Sequence, residues 1–303
     1  KVVTVPQGAR EIKLNGLVLL PGLIDLHSHL LLHPYNEAHW NDQVLKESLE
    51  LRTIRAVVAG KATLEAGFTT LRDLGTEGAG FADVALRDAF ASGLVPGPRV
   101  FATTRAIVAT GCYGPSGFDP RWDVPQGAQE ATGVDEVRRA VREQVAAGAD
   151  WIKVYADYRR REGATPTATF SQDELNALVH EAKTAGLPVA AHAFTDEGIR
   201  RAVLAGVSTI EHGFQASEEV LTLMRDRGVV LCPTLAAADA TARYAGWKPG
   251  TPDPPQVRGA KEMFARALKT GVTIACGSDV GVFAHGENLR ELKLMAESGM
   301  PIA

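Results

Sequence analysis

The 303-residue chain is 45% hydrophobic, which is enough for one large domain with a buried core. Its net charge of -4 argues against a nucleic-acid-binding protein, because such proteins usually have a basic face. No uninterrupted apolar run reaches the roughly 18–20 residues of a membrane span, and no signal peptide is recognisable at Lys1. We therefore expect no nucleic-acid or membrane partner. The default compartment is the cytoplasm, with export only if an upstream signal has been removed.

A short pattern recurs along the chain, in which a helical run ends at glycine and a β-rich run follows at once. Gly67, Gly148 and Gly186 each stand directly before such a run. Glycine after the last helical turn is the usual left-handed stop of a helix. Strands that alternate with helices indicate βαβ units and a parallel sheet.

Eight strands are predicted in chain order. They are LIDLHSHL (23–30), TTLRDLG (69–75), RVFATTRAI (99–107), WIKVYAD (151–157), PVAAHAF (188–194), STIEHGF (208–214), VVLCPTLA (229–236) and VTIACGSD (272–279). Eight units favour a closed (β/α)8 barrel of the TIM type. An open doubly wound sheet is the alternative, but it should carry G-x-G-x-x-G after its first strand, and this sequence has none there.

The remaining segments complete the predicted domain organisation. Residues 1–20 are expected to form strands of a small, incomplete β-sandwich domain, and residues 21–303 the barrel, with its last helix truncated. Residues 103–133 and 236–258 are long segments after strands three and seven. Because such segments lie at the catalytic end of a barrel, we expect them to shape a substrate pocket. Disordered insertions are the alternative.

The most distinctive motif is Asp25-Leu26-His27-Ser28-His29 in the first predicted strand. Side chains two apart in a strand share a face, so both imidazoles can bind one metal ion. A pair of packed histidines explains this motif alone about equally well.

Four further polar residues interrupt apolar strands near their carboxyl ends: Lys153, His192, His212 and Asp279. A buried lysine is rare without a partner, so Lys153 indicates either a salt bridge or a lysine with a lowered pKa suited to covalent chemistry. For each residue alone, a hydrogen-bonded core position is an equally good explanation. The convergence of all six favours a site for zinc or a similar divalent ion.

This order of motifs resembles the amidohydrolase superfamily, which has H-x-H after strand one, Lys after strand four, His after strands five and six, and Asp after strand eight. The segments PGLIDLHSH, DWIKVYADY, IEHG, GSD and HGENLREL are similar to one branch in particular. That branch holds imidazolonepropionase-like enzymes, Xaa-Pro dipeptidases and bacterial ochratoxin-degrading amidohydrolases. The resemblance covers most of the chain.

The resemblance implies a binuclear site with two divalent ions, most simply Zn²⁺, and a bridging hydroxide. The implied ligands are His27, His29 and Asp279 for one ion, His192 and His212 for the other, and N6-carboxylated Lys153 as a bridge. Asp279, Lys153 and His212 are the implied catalytic residues. Asp279 would take the proton of the attacking water and deliver it to the leaving amine.

Five residues are predicted to contact the substrate: Tyr113, Tyr155, Tyr158, Arg159 and His285. Tyrosine with arginine can clamp a carboxylate, because guanidinium matches it bidentately. A solvated basic turn is the alternative for Arg159. Tyr113 lies in TGCYG, where many relatives have a Gly-Gly-His-Gly-like segment. His33 and His39, in the loop after strand one, are expected at the surface.

The expected activity is hydrolysis of the amide bond to a C-terminal amino acid, in an N-acyl amino acid or a dipeptide. Conversion of ochratoxin A to ochratoxin alpha and phenylalanine is one instance. Hydrolysis of a cyclic amide or lactone, or a barrel without catalysis, are the alternatives. The partner would be a small amide substrate, and the resemblance implies a homo-oligomer.

Overall fold

The computed structural model describes residues 5–119, 121–161 and 163–301. Helices and strands alternate along much of the chain. The elements of the first half are β1 (Leu23–Ser28), α1 (Trp40–Lys46), α2 (Leu49–Glu65), β2 (Phe68–Asp73), α3 (Ala82–Ala91), β3 (Arg99–Ala102), β4 (Ile107–Ala109), β5 (Gln129–Ala131) and α4 (Gly133–Ala146).

The second half continues the alternation. Its elements are β6 (Ile152–Tyr155), β7 (Asp157–Tyr158), β8 (Thr167–Ala168), α5 (Gln172–Thr184), β9 (Val189–Ala193), α6 (Asp196–Ala205), β10 (Thr209–His212), α7 (Glu218–Asp226), β11 (Val230–Cys232), α8 (Leu235–Tyr244), α9 (Pro255–Thr270) and α10 (Leu289–Glu297). The predicted helix stops are confirmed, since Gly67, Gly148 and Gly186 all have positive φ.

The strands form a parallel (β/α)8 barrel. They pair in two sets, in the order β1-β2-β3 and β11-β10-β9-β6-β4-β5. At one seam between the sets, the Asp150 N–H, just before β6, donates at 2.8 Å to the carbonyl oxygen of Ala102, the last residue of β3. The small antiparallel pair β7–β8 lies apart from both sets.

The other seam is filled by the eighth predicted strand, residues 272–279. This segment is irregular but hydrogen-bonds to strands on both sides. The Ala275 N–H donates to Leu231 O in β11 at 2.9 Å, and the Leu26 N–H of β1 donates to Cys276 O at 2.9 Å. These bonds put the segment where strand eight of the barrel belongs.

The third predicted strand, residues 99–107, is divided into β3 and β4. The break lies at Thr104, whose φ of 61° is left-handed and incompatible with a strand. Asp83 holds this conformation by accepting the Thr104 N–H at 2.7 Å. The prediction of one long loop over residues 103–133 is therefore wrong in part, because this segment contains the strands β4 and β5.

The prediction of a loop over residues 236–258 is also wrong in part. Its first part belongs to α8, which ends at Tyr244 and whose many alanines favour a helix. Glu291 of α10 satisfies the start of this helix by accepting from Leu235 N at 3.1 Å and from Ala236 N at 2.7 Å.

The described residues before β1 contribute no strand to the barrel. Residues 5–22 have no assigned strand, and their side chains are exposed. The flanking β domain therefore stays a prediction, and residues 1–4 lie outside the described ones. The expected truncation of the last helix also stays a prediction. No helix within the described ranges is long and apolar enough to cross a bilayer.

Alternation along the strands separates an apolar layer from a polar interior. In β6, Ile152 and Val154 belong to the main hydrophobic cluster together with Leu178 of α5. Lys153, between them, points to the opposite face and is also buried. The outer surface of the sheet therefore packs on the helices, while the barrel interior receives charged side chains.

An ion pair crosses this interior. Arg72 of β2 and Glu211 of β10 are buried, with Nη2 and Oε1 2.8 Å apart. Glu211 Oε2 accepts from His27 Nδ1 at 2.8 Å, and Arg72 Nε donates to Leu26 O at 2.7 Å. Burial alone would raise the pKa of Glu211, but Arg72 and His27 outweigh it and hold that pKa well below its usual range.

Replacing Glu211 tests how much this ion pair contributes to the free energy of unfolding. Glu211→Ala leaves the Arg72 guanidinium buried without a counter-charge, so we expect the free energy of unfolding to fall by about 3–5 kcal/mol in urea denaturation. The Arg72→Met/Glu211→Leu double variant should lose less. Asp226→Ala, which removes an exposed carboxylate, should change stability by at most about 0.5 kcal/mol. A Glu211→Ala variant as stable as the parent would contradict the paired interior.

Candidate active site

The carboxyl ends of the barrel strands bring histidines and an aspartate to one place. His27 Nε2 and His29 Nε2 lie 3.5 and 3.3 Å from the same oxygen, Asp279 Oδ1. The His212 ring centroid is 4.9 Å from that of His27 and 4.7 Å from that of His192. Single ligand atoms of His27, His212 and Asp279 lie within 4.8 Å of one another, a spacing that can hold a metal ion.

Two polar atoms in this region are buried without a partner. Among the side chains that the structure describes, neither Lys153 Nζ nor His192 Nε2 has a hydrogen bond. Leaving such groups unpaired is costly, so native proteins rarely do it. Burial lowers the pKa of Lys153, which favours the neutral amine that can react with CO₂. The donor set of imidazoles, carboxylate and lysine therefore fits divalent ions.

Hydrogen bonds on the far side of the rings fix their orientation. His27 Nδ1 contacts Glu211, His29 Nδ1 donates to Gly75 O at 3.0 Å, and His212 Nδ1 lies 2.7 Å from Thr234 Oγ1. Such contacts leave Nε2 of each ring free to bind a metal.

Burial sets the protonation of these rings. Burial lowers the pKa of His27 to about 4 and that of His212 to about 3, so both are neutral at neutral pH. His29 differs, because the carboxylates of Asp279 and Glu77 outweigh burial and raise its pKa to about 9. A cation beside Asp279 would satisfy the same negative charge that a protonated His29 satisfies.

Several residues of the site adopt a backbone conformation that only glycine favours. His212 has a φ of 72°, Asp279 of 62°, and Glu77 and Thr234 of 50°. Each non-glycine residue in this region costs on the order of 1–3 kcal/mol, and such strain concentrates at functional sites.

A cavity of about 360 Å³ opens above the histidines. Four of the five predicted substrate contacts line it: Tyr113, Tyr155, Tyr158 and Arg159. The Tyr155 ring stacks on His192 at 4.3 Å between centroids, and the exposed Arg159 guanidinium lies 5.5 Å from the Tyr158 centroid. The walls are thus largely aromatic, and Arg159 adds an exposed guanidinium.

Other predicted positions differ from expectation. His285 Nε2 donates to Leu32 O at 3.1 Å rather than lining the cavity with the other predicted contacts. His33 is buried rather than at the surface, because its two ring nitrogens lie 3.0 Å from Glu37 and 2.8 Å from Glu47. His39 is exposed, as expected.

Sequence reasoning missed three charged residues near the site: Arg72, Glu211 and Glu77. The signal for Arg72 and Glu211 was the same as for Lys153, since each is a charge within an apolar predicted strand. Glu77 lies in the glycine-rich turn GTEGAG and lines the cavity. Its only sequence signal is a carboxylate at a βα turn.

Known proteins share this architecture. The crystal structure of a Xaa-Pro dipeptidase with bound methionine in the active site superposes with a TM-score of 0.80 at 34% identity, covering 93% of this chain and 71% of that one. A prolidase complexed with N-methylphosphonate-L-proline gives a TM-score of 0.81 at 31% identity, covering 99% and 74%.

Sequence comparison agrees. The ochratoxinase of Aspergillus niger, a fungal protein, is 31% identical over an alignment of 309 positions, which covers 93% of this chain and 62% of the ochratoxinase. The chain thus spans under two thirds of that relative's length. The amidohydrolase family model matches residues 18–303, and that family generally uses a divalent metal ion, for which His27, His212 and Asp279 form a possible site. The chain belongs to the amidohydrolase family.

Proposed function

We propose that this chain is a binuclear metal-dependent amidohydrolase that cleaves the amide bond to a C-terminal amino acid. The observation that carries the proposal is the pair of buried, unpartnered atoms, Lys153 Nζ and His192 Nε2, beside the cluster of His27, His212 and Asp279. Both atoms would be satisfied at once by ions and by the modified lysine that a binuclear site requires.

The proposed ligands follow from the positions of these side chains. One ion would be held by His27, His29 and Asp279, the other by His192 and His212. N6-carboxylated Lys153 would bridge the two. Imidazole and carboxylate donors suit Zn²⁺. When bound, the ions would lower the pKa of a water molecule and polarise the scissile carbonyl.

Asp279 is the proposed proton carrier. Although burial opposes ionisation, the neighbouring histidines hold the pKa of its carboxyl well below the usual range, so it is ionised at neutral pH. An ionised carboxylate at this position can accept the proton of the attacking water and pass it to the leaving amine. Removing that transfer should cost about 10²–10⁴ in rate.

The cavity walls suggest the substrate class. Tyr113, Tyr155 and Tyr158 offer aromatic surface for an apolar side chain, and Arg159 can pair with a terminal carboxylate. The names of the relatives agree with such substrates, since they include a Xaa-Pro dipeptidase and an ochratoxinase. Ochratoxin A, an N-acyl phenylalanine, is therefore one substrate to assay. The implied homo-oligomer stays a prediction.

Metal removal is the first test. Elemental analysis of the purified protein should find about two divalent ions per chain. Prolonged chelation should abolish hydrolysis of N-acyl amino acids and dipeptides, and Zn²⁺ should restore it. Cyclic imides and lactones belong in the same panel. Full activity in protein that contains no metal would contradict the proposal.

Lys153→Ala tests the bridge. Without the lysine the two ions lose a shared ligand, so metal content should fall from about two ions toward one or none, and turnover should fall by at least about 100-fold. A short-chain carboxylate added to the buffer should restore part of both. Lys183→Ala, which removes an exposed lysine of α5, should change neither. Undiminished metal content in Lys153→Ala would rule the bridge out.

A further inference from the structure

Glu77 is a buried carboxylate that lines the cavity and has no part in the hydrolysis proposed above. It follows β2 at the catalytic end of the barrel and is only 2% exposed. Its φ of 50° is unfavourable for a residue with a side chain, so the turn holds it there against a strain cost.

The two oxygens of Glu77 differ in their contacts. Oε2 accepts a hydrogen bond from Trp40 Nε1 at 2.8 Å and another from the Tyr113 hydroxyl. This oxygen is therefore fully used, and it ties Trp40 and Tyr113 to the cavity wall.

Oε1 can accept further hydrogen bonds. Its closest donor is the Tyr155 hydroxyl at 3.5 Å, the outer limit of a hydrogen bond. His29 Nδ1 lies 3.9 Å away, but it donates to Gly75 O. A carboxylate oxygen accepts about two hydrogen bonds, so Oε1 can take a further donor from the cavity.

No cation hydrogen-bonds to the carboxylate of Glu77 among the described residues, since His29 Nδ1, which is 3.9 Å from Oε1, donates elsewhere. The guanidinium of Arg52 donates from Nη1 to the main-chain carbonyl of Glu77 at 2.7 Å, and from Nε and Nη2 to Leu31 O at 3.0 and 2.9 Å. Those donors bind main-chain oxygens rather than the carboxylate. A buried carboxylate whose cationic neighbours make no hydrogen bond to it is only partly compensated, which favours a cation brought by the substrate.

We propose that Glu77 Oε1 binds the protonated amino group of the substrate's acyl residue. The preferred substrate is then a dipeptide with a free α-amino group rather than an N-acylated amino acid. Arg159 lies on the wall of the same cavity and would take the opposite terminus. The two side chains thus match the two charges of a zwitterionic dipeptide. This inference rests on the proposed function and narrows its substrate.

A pair of substrates that differ only at the amino group tests the inference. For the zinc-loaded protein, kcat/KM should be at least about 30-fold higher for L-methionyl-L-proline than for N-acetyl-L-methionyl-L-proline. Glu77→Gln keeps the shape but removes the charge. It should lower kcat/KM for the free dipeptide by about 30-fold or more, mainly through KM, and change the acetylated one by less than about 3-fold.

Two other roles of Glu77 predict different results. If Glu77 acts only by positioning Tyr113, then Tyr113→Phe will reproduce the loss of selectivity, whereas we expect it to keep the preference for the free amine. If Glu77 only balances the charge of the ions, Glu77→Gln will lower metal content and impair both substrates alike. Either result would overturn the inference, as would equal hydrolysis of both substrates by the parent protein.

Binding measurements separate this inference from the proposed function. Hydrolysis of neither peptide would count against the hydrolytic proposal alone. In that case calorimetry on the same zinc-loaded protein should still find tighter binding of the free dipeptide than of its acetylated form, and Glu77→Gln should abolish the difference. Equal binding of the two peptides by the parent protein would refute the ammonium site.

Discussion

The structure depends on keeping charges inside a closed barrel. The Arg72–Glu211 pair connects β2 to β10 across the interior, and Glu211 also holds His27 by its Nδ1. A buried pair of this kind contributes little net stability over apolar packing, but it is strongly destabilising when broken. Its value to this chain is orientation, because it turns His27 Nε2 toward Asp279.

Other buried polar groups near this ion pair are not fully satisfied by the protein. Next along the interior come Lys153 and His192, whose polar atoms have no protein partner among the described residues. Beyond them lies Glu77, whose second oxygen is only weakly satisfied. Lys153, His192 and Glu77 thus place unsatisfied polar capacity at the end of the barrel that carries the cavity. Proteins seldom tolerate such capacity without a ligand to fill it.

Much of this arrangement could be predicted from the sequence, because local patterns carry it. Period-two alternation, glycine stops and polar residues in apolar strands gave the barrel and brought His27, Lys153 and Asp279 to one end of it. The flanking domain, the oligomer and the role of each ligand remain predictions.

What the sequence could not give depends on contacts between distant segments. The break at Thr104 requires Asp83, some twenty residues earlier in the chain, to hold a left-handed backbone. The pairing of Arg72 with Glu211 spans 139 residues. Glu77 belongs to the site through Trp40 and Tyr113, which lie 37 and 36 residues away in the chain. Neither strain nor unsatisfied oxygens can be recognised in a one-dimensional pattern.

The most direct measurement is a crystal structure of the zinc-loaded protein, with anomalous data collected at the zinc edge. The account predicts two anomalous peaks among the rings of His27, His29, His192 and His212, and density for a carboxylated Lys153 side chain that touches both. An unmodified Lys153 side chain with no anomalous peak at this end of the barrel would contradict it.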